Sequence, residues 1–477
     1  MAEFASFPKN LAYNIKTLSG FSKTTCKLTP DRTGTINHGE TIKVKLPSNT
    51  IVDLRTFTMF MKGTTSQSSG SKVHFPRLTS SLIKTLAVYV NGTLIERIDN
   101  YNILYNKLYD LDGGGVDQVS KRFLENADPS IGFKVVSDVD DVTGGNVTIK
   151  TKPNTANEYQ QKLMVNNWLG FLSTCNCPCP DTNDLNNVEI EITFAEEKVL
   201  WASSSSTAGA DPNVVGAKYT LDDVHFTISK IVFNDPLYYN LKASKLLSSG
   251  LTIGYQTYIS SKTAAVNKGT SVNVLTTVNS TSLDQLVCCL QPATIPITTL
   301  QLGNANAGTN SLCFNNVFAV VGDYPGQTAS TNYHSVYAGD YYNQSYYFKS
   351  DASGIVSSSV EINNTPLMPQ PLDDAEIYNE SLIALGNLNQ DMSSGIHPGC
   401  LSLAHFLKYY FTHVISLENL QQGDFYKSGL DGKASALNIA WKMTFAGAST
   451  DKFVPYVFAK TTRIMVVNEG HAISVIV

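Results

Sequence analysis

The chain has 477 residues, 42% of them hydrophobic and 16% charged, with a formal net charge of −5. That much apolar material supports sizeable cores and excludes wholesale disorder, while the small negative charge excludes general attraction to nucleic acid or anionic membrane. No stretch approaches the roughly 18–20 uninterrupted apolar residues of a membrane-spanning helix, and eight cysteines are too sparse for a disulfide scaffold.

Residues 1–30 read as an N-terminal arm. Its opening, Met1 to Pro8, has no basic segment leading into an apolar run, so synthesis in the cytosol without a signal peptide is expected. The sequons at Asn91, Asn146 and Asn343 then carry little weight. Lys9, Lys16, Lys23 and Lys27 are not clustered, which argues against direct nucleic-acid binding by the arm.

Period-2 alternation follows, the mark of strands with one dry face and one wet face. Ile42, Val44 and Leu46 alternate with polar residues, as do Phe57, Met59 and Met61; Leu86, Val88 and Val90 form a third set. Asp99 is placed to cap a helix carrying Tyr101, Leu104, Tyr105 and Leu108. Val188, Ile190, Ile192 and Phe194 give another strand, and Val224–Phe233 one more. Asn234-Asp235-Pro236 before Leu237–Leu247, with Gly250 behind, frames a short helix. A domain boundary is placed there: first sandwich 31–235, linker helix 236–250, second sandwich 251–477. In the second half, Asp373 and Glu376 form a capping box before Ile377 and Tyr378. Leu401–Leu417 reads as a buried helix, and Leu437, Ile439, Trp441, Met443 and Phe445 as a strand. The fold class is all-β: two tandem domains of sandwich or jelly-roll architecture with a few short helices in long Gly/Ser/Asn loops.

The halves share a plan. Val88-Tyr89-Val90-Asn91-Gly92-Thr93 resembles Val360-Glu361-Ile362-Asn363-Asn364-Thr365, each a strand running into a tight turn. A helix with a Tyr-Asn pair follows both, Tyr101-Asn102 and Tyr378-Asn379. Ile190 to Ala195 similarly resembles Trp441 to Ala446. Matched order of matched elements points to a duplicated β domain.

The chemistry-bearing candidates are weak. Gly429-Leu430-Asp431-Gly432-Lys433-Ala434 resembles a phosphate loop only in part, with Ala434 where Ser or Thr is needed. Glu189 and Glu191 share a strand face with Cα atoms roughly 6.5–7 Å apart, a spacing a glycosidase could use; a solvated face is the plainer reading, since the second half has Ala440 and Lys442 there. Cys175, Cys177 and Cys179 are too closely spaced for usual zinc pairs and lack a fourth ligand, so a loop of reduced thiols is the plainer reading, with a metal or a disulfide formed after release into an oxidising setting as the alternatives. Cys288, Cys289 and Cys313 read as core, and His397 with Cys400 lacks an orienting acid. Tyr333, Tyr337, Tyr341, Tyr342, Tyr346 and Tyr347 suit an interface or a strand core equally. No catalytic, cofactor or metal residues are assigned.

Leu82-Ile83-Lys84-Thr85-Leu86-Ala87-Val88-Tyr89-Val90-Asn91-Gly92 before Tyr101-Asn102-Ile103-Leu104-Tyr105, with Tyr219-Thr220-Leu221-Asp222-Asp223-Val224 and Ser428-Gly429-Leu430-Asp431-Gly432, resembles the double jelly-roll major capsid proteins of the adenovirus and tailless-phage lineage, nearest to those of virophages and polinton-like viruses. The resemblance implies a non-enzymatic structural subunit of a DNA virus. It implies a homotrimer forming a pseudo-hexameric capsomer of an icosahedral virion capsid, contacting neighbouring capsomers, penton and minor capsid proteins. Phe4, Phe7, Leu11, Tyr13, Ile15 and Leu18 would let the arm pack beneath a neighbour or touch an internal membrane. The alternative from another class is a β-sandwich lectin or adhesin that binds glycans.

Overall fold

The computed structural model is described over residues 21–66, 73–76, 78–111, 158–202, 216–233, 250–293, 317–318, 344–385, 403–418, 429–432, 436–448 and 452–476, with isolated positions between 240 and 247. Eight main strands lie in the first half: β1 (Phe21–Leu28), β2 (Thr41–Lys45), β3 (Ile51–Ser66), β4 (Ile83–Val90), β5 (Thr93–Asp99), β6 (Glu158–Val165), β7 (Val188–Phe194) and β8 (Lys218–Phe233). They form two antiparallel sheets, ordered β1-β8-β3-β6 and β2-β7-β4-β5. The second half repeats the set with β9 (Leu251–Lys262), β10 (Ser271–Val278), β11 (Leu283–Pro292), β12 (Ile355–Ile362), β13 (Thr365–Pro366), β14 (Thr412–Ser416), β15 (Leu437–Phe445) and β16 (Lys452–Val467). Its sheets run β9-β16-β11-β14 and β10-β15-β12-β13, with β17 (Ile473–Ile476) added beside β16. Adding eight to each strand number of the first half yields the second. First and last strands pair in one sheet while intervening strands cross to the other, which is the jelly-roll winding.

The alternating residues do what their period dictates. β7 is buried at Val188, Ile190, Ile192 and Phe194, and β15 at Leu437, Ile439, Trp441, Met443 and Phe445. Both sets lie in the buried core. Phe57 stacks on Phe226 at 5.2 Å in the first core, with Trp168 donating its indole N–H to Phe57 O. In the second core Trp441 lies edge-on to His413 at 5.0 Å. Its indole N–H reaches Ser358 Oγ at 3.0 Å, and that hydroxyl lies 3.1 Å from His413 Nδ1. Burial pushes the imidazole down to about 3, so His413 is neutral.

The two matched turns are built alike. Asn91 and Gly92 have φ of 48° and 78°, and Asn363 and Asn364 have 52° and 63°. Positive φ at both central residues makes type I′ turns, whose twist suits a two-residue hairpin and whose sterics favour Asn and Gly. Helices follow each hairpin: α1 (Tyr101–Leu111) after β5 and α3 (Asp374–Ala384) after β13. The capping box of Asp373 and Glu376 is present as expected.

Three expectations need correction. Asp99 does not cap α1; it ends β5, bound by Arg97 and Thr85, and the carbonyl of Asn100 (φ 54°) receives the first-turn amides of Ile103 and Leu104. Leu401–Leu417 is not one helix. It contains α4 (Leu403–Tyr409) and then β14, because Thr412–Ser416 fills an edge beside β11. Residues 21–28, read as part of an arm, are β1 and pair along their length with β8. Residues 1–20 lie outside the described residues, as do most of the linker helix, His397, Cys400, Cys313 and Tyr333–Tyr342.

Candidate functional site

Strands of each half pair only within that half among the described residues, so what joins the sandwiches is mostly side-chain chemistry outside the ladders. It begins with a fault in β5. Val88 faces Glu96 while Tyr89 faces Leu94, leaving Ile95 as an extra residue. Such a bulge frees a backbone carbonyl from the ladder and redirects the neighbouring side chains. The Ile95 carbonyl accepts the Tyr255 hydroxyl at 2.7 Å, and Arg463 Nη1 lies 3.5 Å from it. Both donors belong to the second half, from β9 and β16.

The bulge also turns Glu96 inward, where it is fully buried. Its two carboxyl oxygens lie 3.0 and 2.8 Å from the Phe171 amide, at the start of α2 (Phe171–Thr174). Gly170 permits this seat, for its φ is 77° and a Cβ there would stand 2.0 Å from Glu96 Oε1. Phe171 then meets Tyr255 edge-on at 5.3 Å. Burial pushes the carboxyl up to about 7, against the opposing pull of the Thr257 hydroxyl, the Phe171 amide and Arg463.

The end of α2 and the residues just after it bind the outer edge of β9. Thr174 Oγ1 donates to Gln256 O and receives Gln256 N, each at 2.9 Å. Asn176 N donates to Gly254 O, and Asn176 Oδ1 receives Gly254 N. An unpaired strand edge is an invitation to stray pairing, and this segment closes it. Further contacts flank the centre: Asn100 to Ser260, Asn91 Nδ2 to His471 O, and His471 Nδ1 donating to Asp184 O. Buried Lys107 of α1 donates to Phe348 O of the second half.

The candidates singled out by sequence lie apart from this junction or at its margin. Glu189 and Glu191 do share a face, where Lys43 of β2 binds both at 3.4 and 3.1 Å; the arrangement is a ladder of alternating charge. Cys175 Sγ donates to Cys177 O at 3.1 Å, Arg55 Nη2 lies 3.9 Å from Cys179 Sγ, and burial pushes the Cys175 thiol up to about 12. All three thiols are free. Among the described residues no three His, Cys, Asp or Glu stand together as a metal site. Gly429 and Gly432 turn their amides to Ser282 Oγ and Ser280 O, and a Cβ on Gly429 would stand 2.1 Å from Leu283 O; close backbone packing accounts for these glycines. Cys288 and Cys289 are core residues of β11. Tyr347 is largely enclosed, and Phe348 is fully so. Sequence reading missed Glu96, Tyr255 and Arg463. The available signal was the three-residue step between Ile95 and Ile98 in a strand whose period should be two.

No protein-family model matches the chain, and no curated protein matches it in sequence. Solved structures do match in shape. PBCV-1 VP54 superposes with a TM-score of 0.55 at 10% identity, over 95% of this chain and 96% of that one. The Faustovirus major capsid protein gives 0.55 at 11% identity, over 98% and 92%. A chain of the Sputnik virophage structure gives 0.50 at 11% identity, over 96% and 89%. The chain shares with these proteins the double jelly-roll fold that its strand order spells out.

Proposed function

We propose that this chain is a major capsid protein, a structural subunit of the virion that assembles as a homotrimer into pseudo-hexameric capsomers tiling an icosahedral shell. The carrying observation is the duplication: two jelly rolls of identical strand order, locked into one chain by a buried junction. Three such chains bring six similar units to a threefold ring, and differing loops let six near-equivalent sides meet their neighbours differently. The shared fold with virus capsid proteins supports the same reading.

The two first strands supply a second support. The outer edge of β9 is bound by residues 174–176 of the preceding sandwich. β1 holds the same place in its own sandwich, yet among the described residues no strand pairs with its outer edge, and Ser22, Lys23, Thr24 and Thr25 are exposed. A closed ring places the second sandwich of the next copy against β1. Neighbouring capsomers, a distinct vertex protein and minor shell proteins are the partners this role requires.

Light scattering after size exclusion tests the reading. A native mass of three chains with hexagonal outlines under negative stain is expected. A stable monomer at working concentration, with no ring in the stain, would remove the capsomer.

A further inference from the structure

We propose that Glu96 is a proton-operated fastening between the two sandwiches, holding the junction most tightly when its carboxyl is protonated and loosening it when the proton leaves. The inference starts from the junction geometry and stands whether or not the chain builds a shell. The carboxyl sits over Gly170, receives the Phe171 amide, and is sealed from above by β9 and β16 of the other half. The groups around it are few. Arg463 comes from β16, Thr257 and Tyr255 from β9, Tyr101 from α1, with Cys175 beyond Tyr255.

Tyr101, Tyr255 and Cys175 are all driven by burial to hold their protons more tightly than usual. They stay neutral between about pH 5 and pH 8, which leaves Glu96 and Arg463 as the charges that count. Arg463 Nε is buried without a hydrogen-bond partner, while its Nη1 is turned to Ile95 O. Loss of the Glu96 proton to solvent therefore leaves an anion in a dry seam, where Arg463 offsets only part of the cost of burying it.

The sign follows from linkage. An unfolded glutamate releases its proton near 4.5 and the folded one near 7. The folded state thus binds protons more tightly, and its stability falls as pH rises through that window. The preference corresponds to roughly 300-fold in proton affinity.

The experiment is thermal unfolding of the full chain from about pH 5 to pH 8, wild type against Glu96→Gln. Glutamine mimics the neutral acid. The two should melt together at the acid end, and the variant should melt higher at the alkaline end by roughly 5 °C. His471, elsewhere in the junction, is common to both proteins and cancels in the difference. Hydrogen exchange of residues 251–262 supplies a local reading, with the variant protected more than wild type only at the alkaline end. If Glu96→Gln does not fold, Arg463→Met serves, since removing the cation should make the carboxyl hold its proton more tightly still and carry the loss of stability on to higher pH. A pH-independent gap between wild type and Glu96→Gln, or an Arg463→Met profile parallel to wild type, overturns the proposal.

Discussion

The two sandwiches share winding, turn type and helix position, yet differ in what they show to solvent. α1 is buried from Tyr101 through Lys107, pressed between its own sheet and the second half. α3 occupies the equivalent place, and of its eleven residues only Ile377 and Ser381 are buried. β9 buries Tyr255, Thr257 and Tyr258 toward the first half, whereas β1 keeps polar residues in the open. What both copies retain is what the jelly roll needs for itself. What only one copy has — extra tyrosines, a buried glutamate, the bulge at Ile95 — belongs to the contact between copies. A duplicated protein thus carries its own control, in which subtracting one half from the other separates fold from interface.

Substitutions break or sharpen this comparison to different degrees. Gly170→Ala should be the most damaging, because it adds a Cβ into the Glu96 carboxyl at a positive φ; a loss exceeding about 3 kcal/mol in denaturant unfolding is expected. Gly92→Ala, also at positive φ but with nothing within 4 Å, should cost only about 1 kcal/mol. Equal losses would mean that backbone strain, not the junction, sets the effect.

Acid is the next largest lever, and it acts on the second core. His413 takes its proton in the unfolded chain near 6.5 but in the folded one only near 3. Its contribution is therefore present above that window and lost as pH falls through it, opposite in sign to Glu96. His413→Leu should flatten the loss of stability between about pH 6 and pH 4. An unchanged slope would place the acid sensitivity elsewhere.

Tyr255→Phe removes one hydroxyl across the junction and should cost about 1–1.5 kcal/mol, read as a fall in melting temperature. The smallest effect is a gain. Asn364→Gly gives the second hairpin the Asn-Gly pair of the first, and relief at φ 63° should add a few tenths of a kcal/mol. A loss would show that Asn364 does more than turn.

The comparison also explains what the sequence could disclose. Periodic burial is local, so Val188–Phe194 and Leu437–Phe445 announce their sheets, and Asn91-Gly92 and Asn363-Asn364 announce their turns. Asp373 and Glu376 fix a helix start by chemistry confined to one turn. By contrast, Leu401–Leu417 has uniform apolarity, and only its neighbour β11 decides where helix yields to strand. Asp99 lost its expected role to a residue, Asn100, that tolerates a left-handed backbone. The junction was least legible. Glu96, Tyr255 and Arg463 are far apart in the chain and meet only after both sandwiches close. A lone glutamate within a strand looks like any wet-face residue until a bulge turns it inward.

The strand order has a consequence for synthesis. β8 lies between β1 and β3, and β16 between β9 and β11, so neither sandwich completes its larger sheet until its eighth strand has emerged. Long-range closure of this kind is slow. While a ribosome makes the second half, the first already has all its strands and presents Gly170, Glu96 and α1 to solvent, uncovered until β9 and β16 arrive. In a cell where many copies are made side by side, that bare surface is open to the second half of a different nascent chain. Holding polysomes sparse, or shielding this face with a chaperone, should therefore raise the yield of correctly paired subunits.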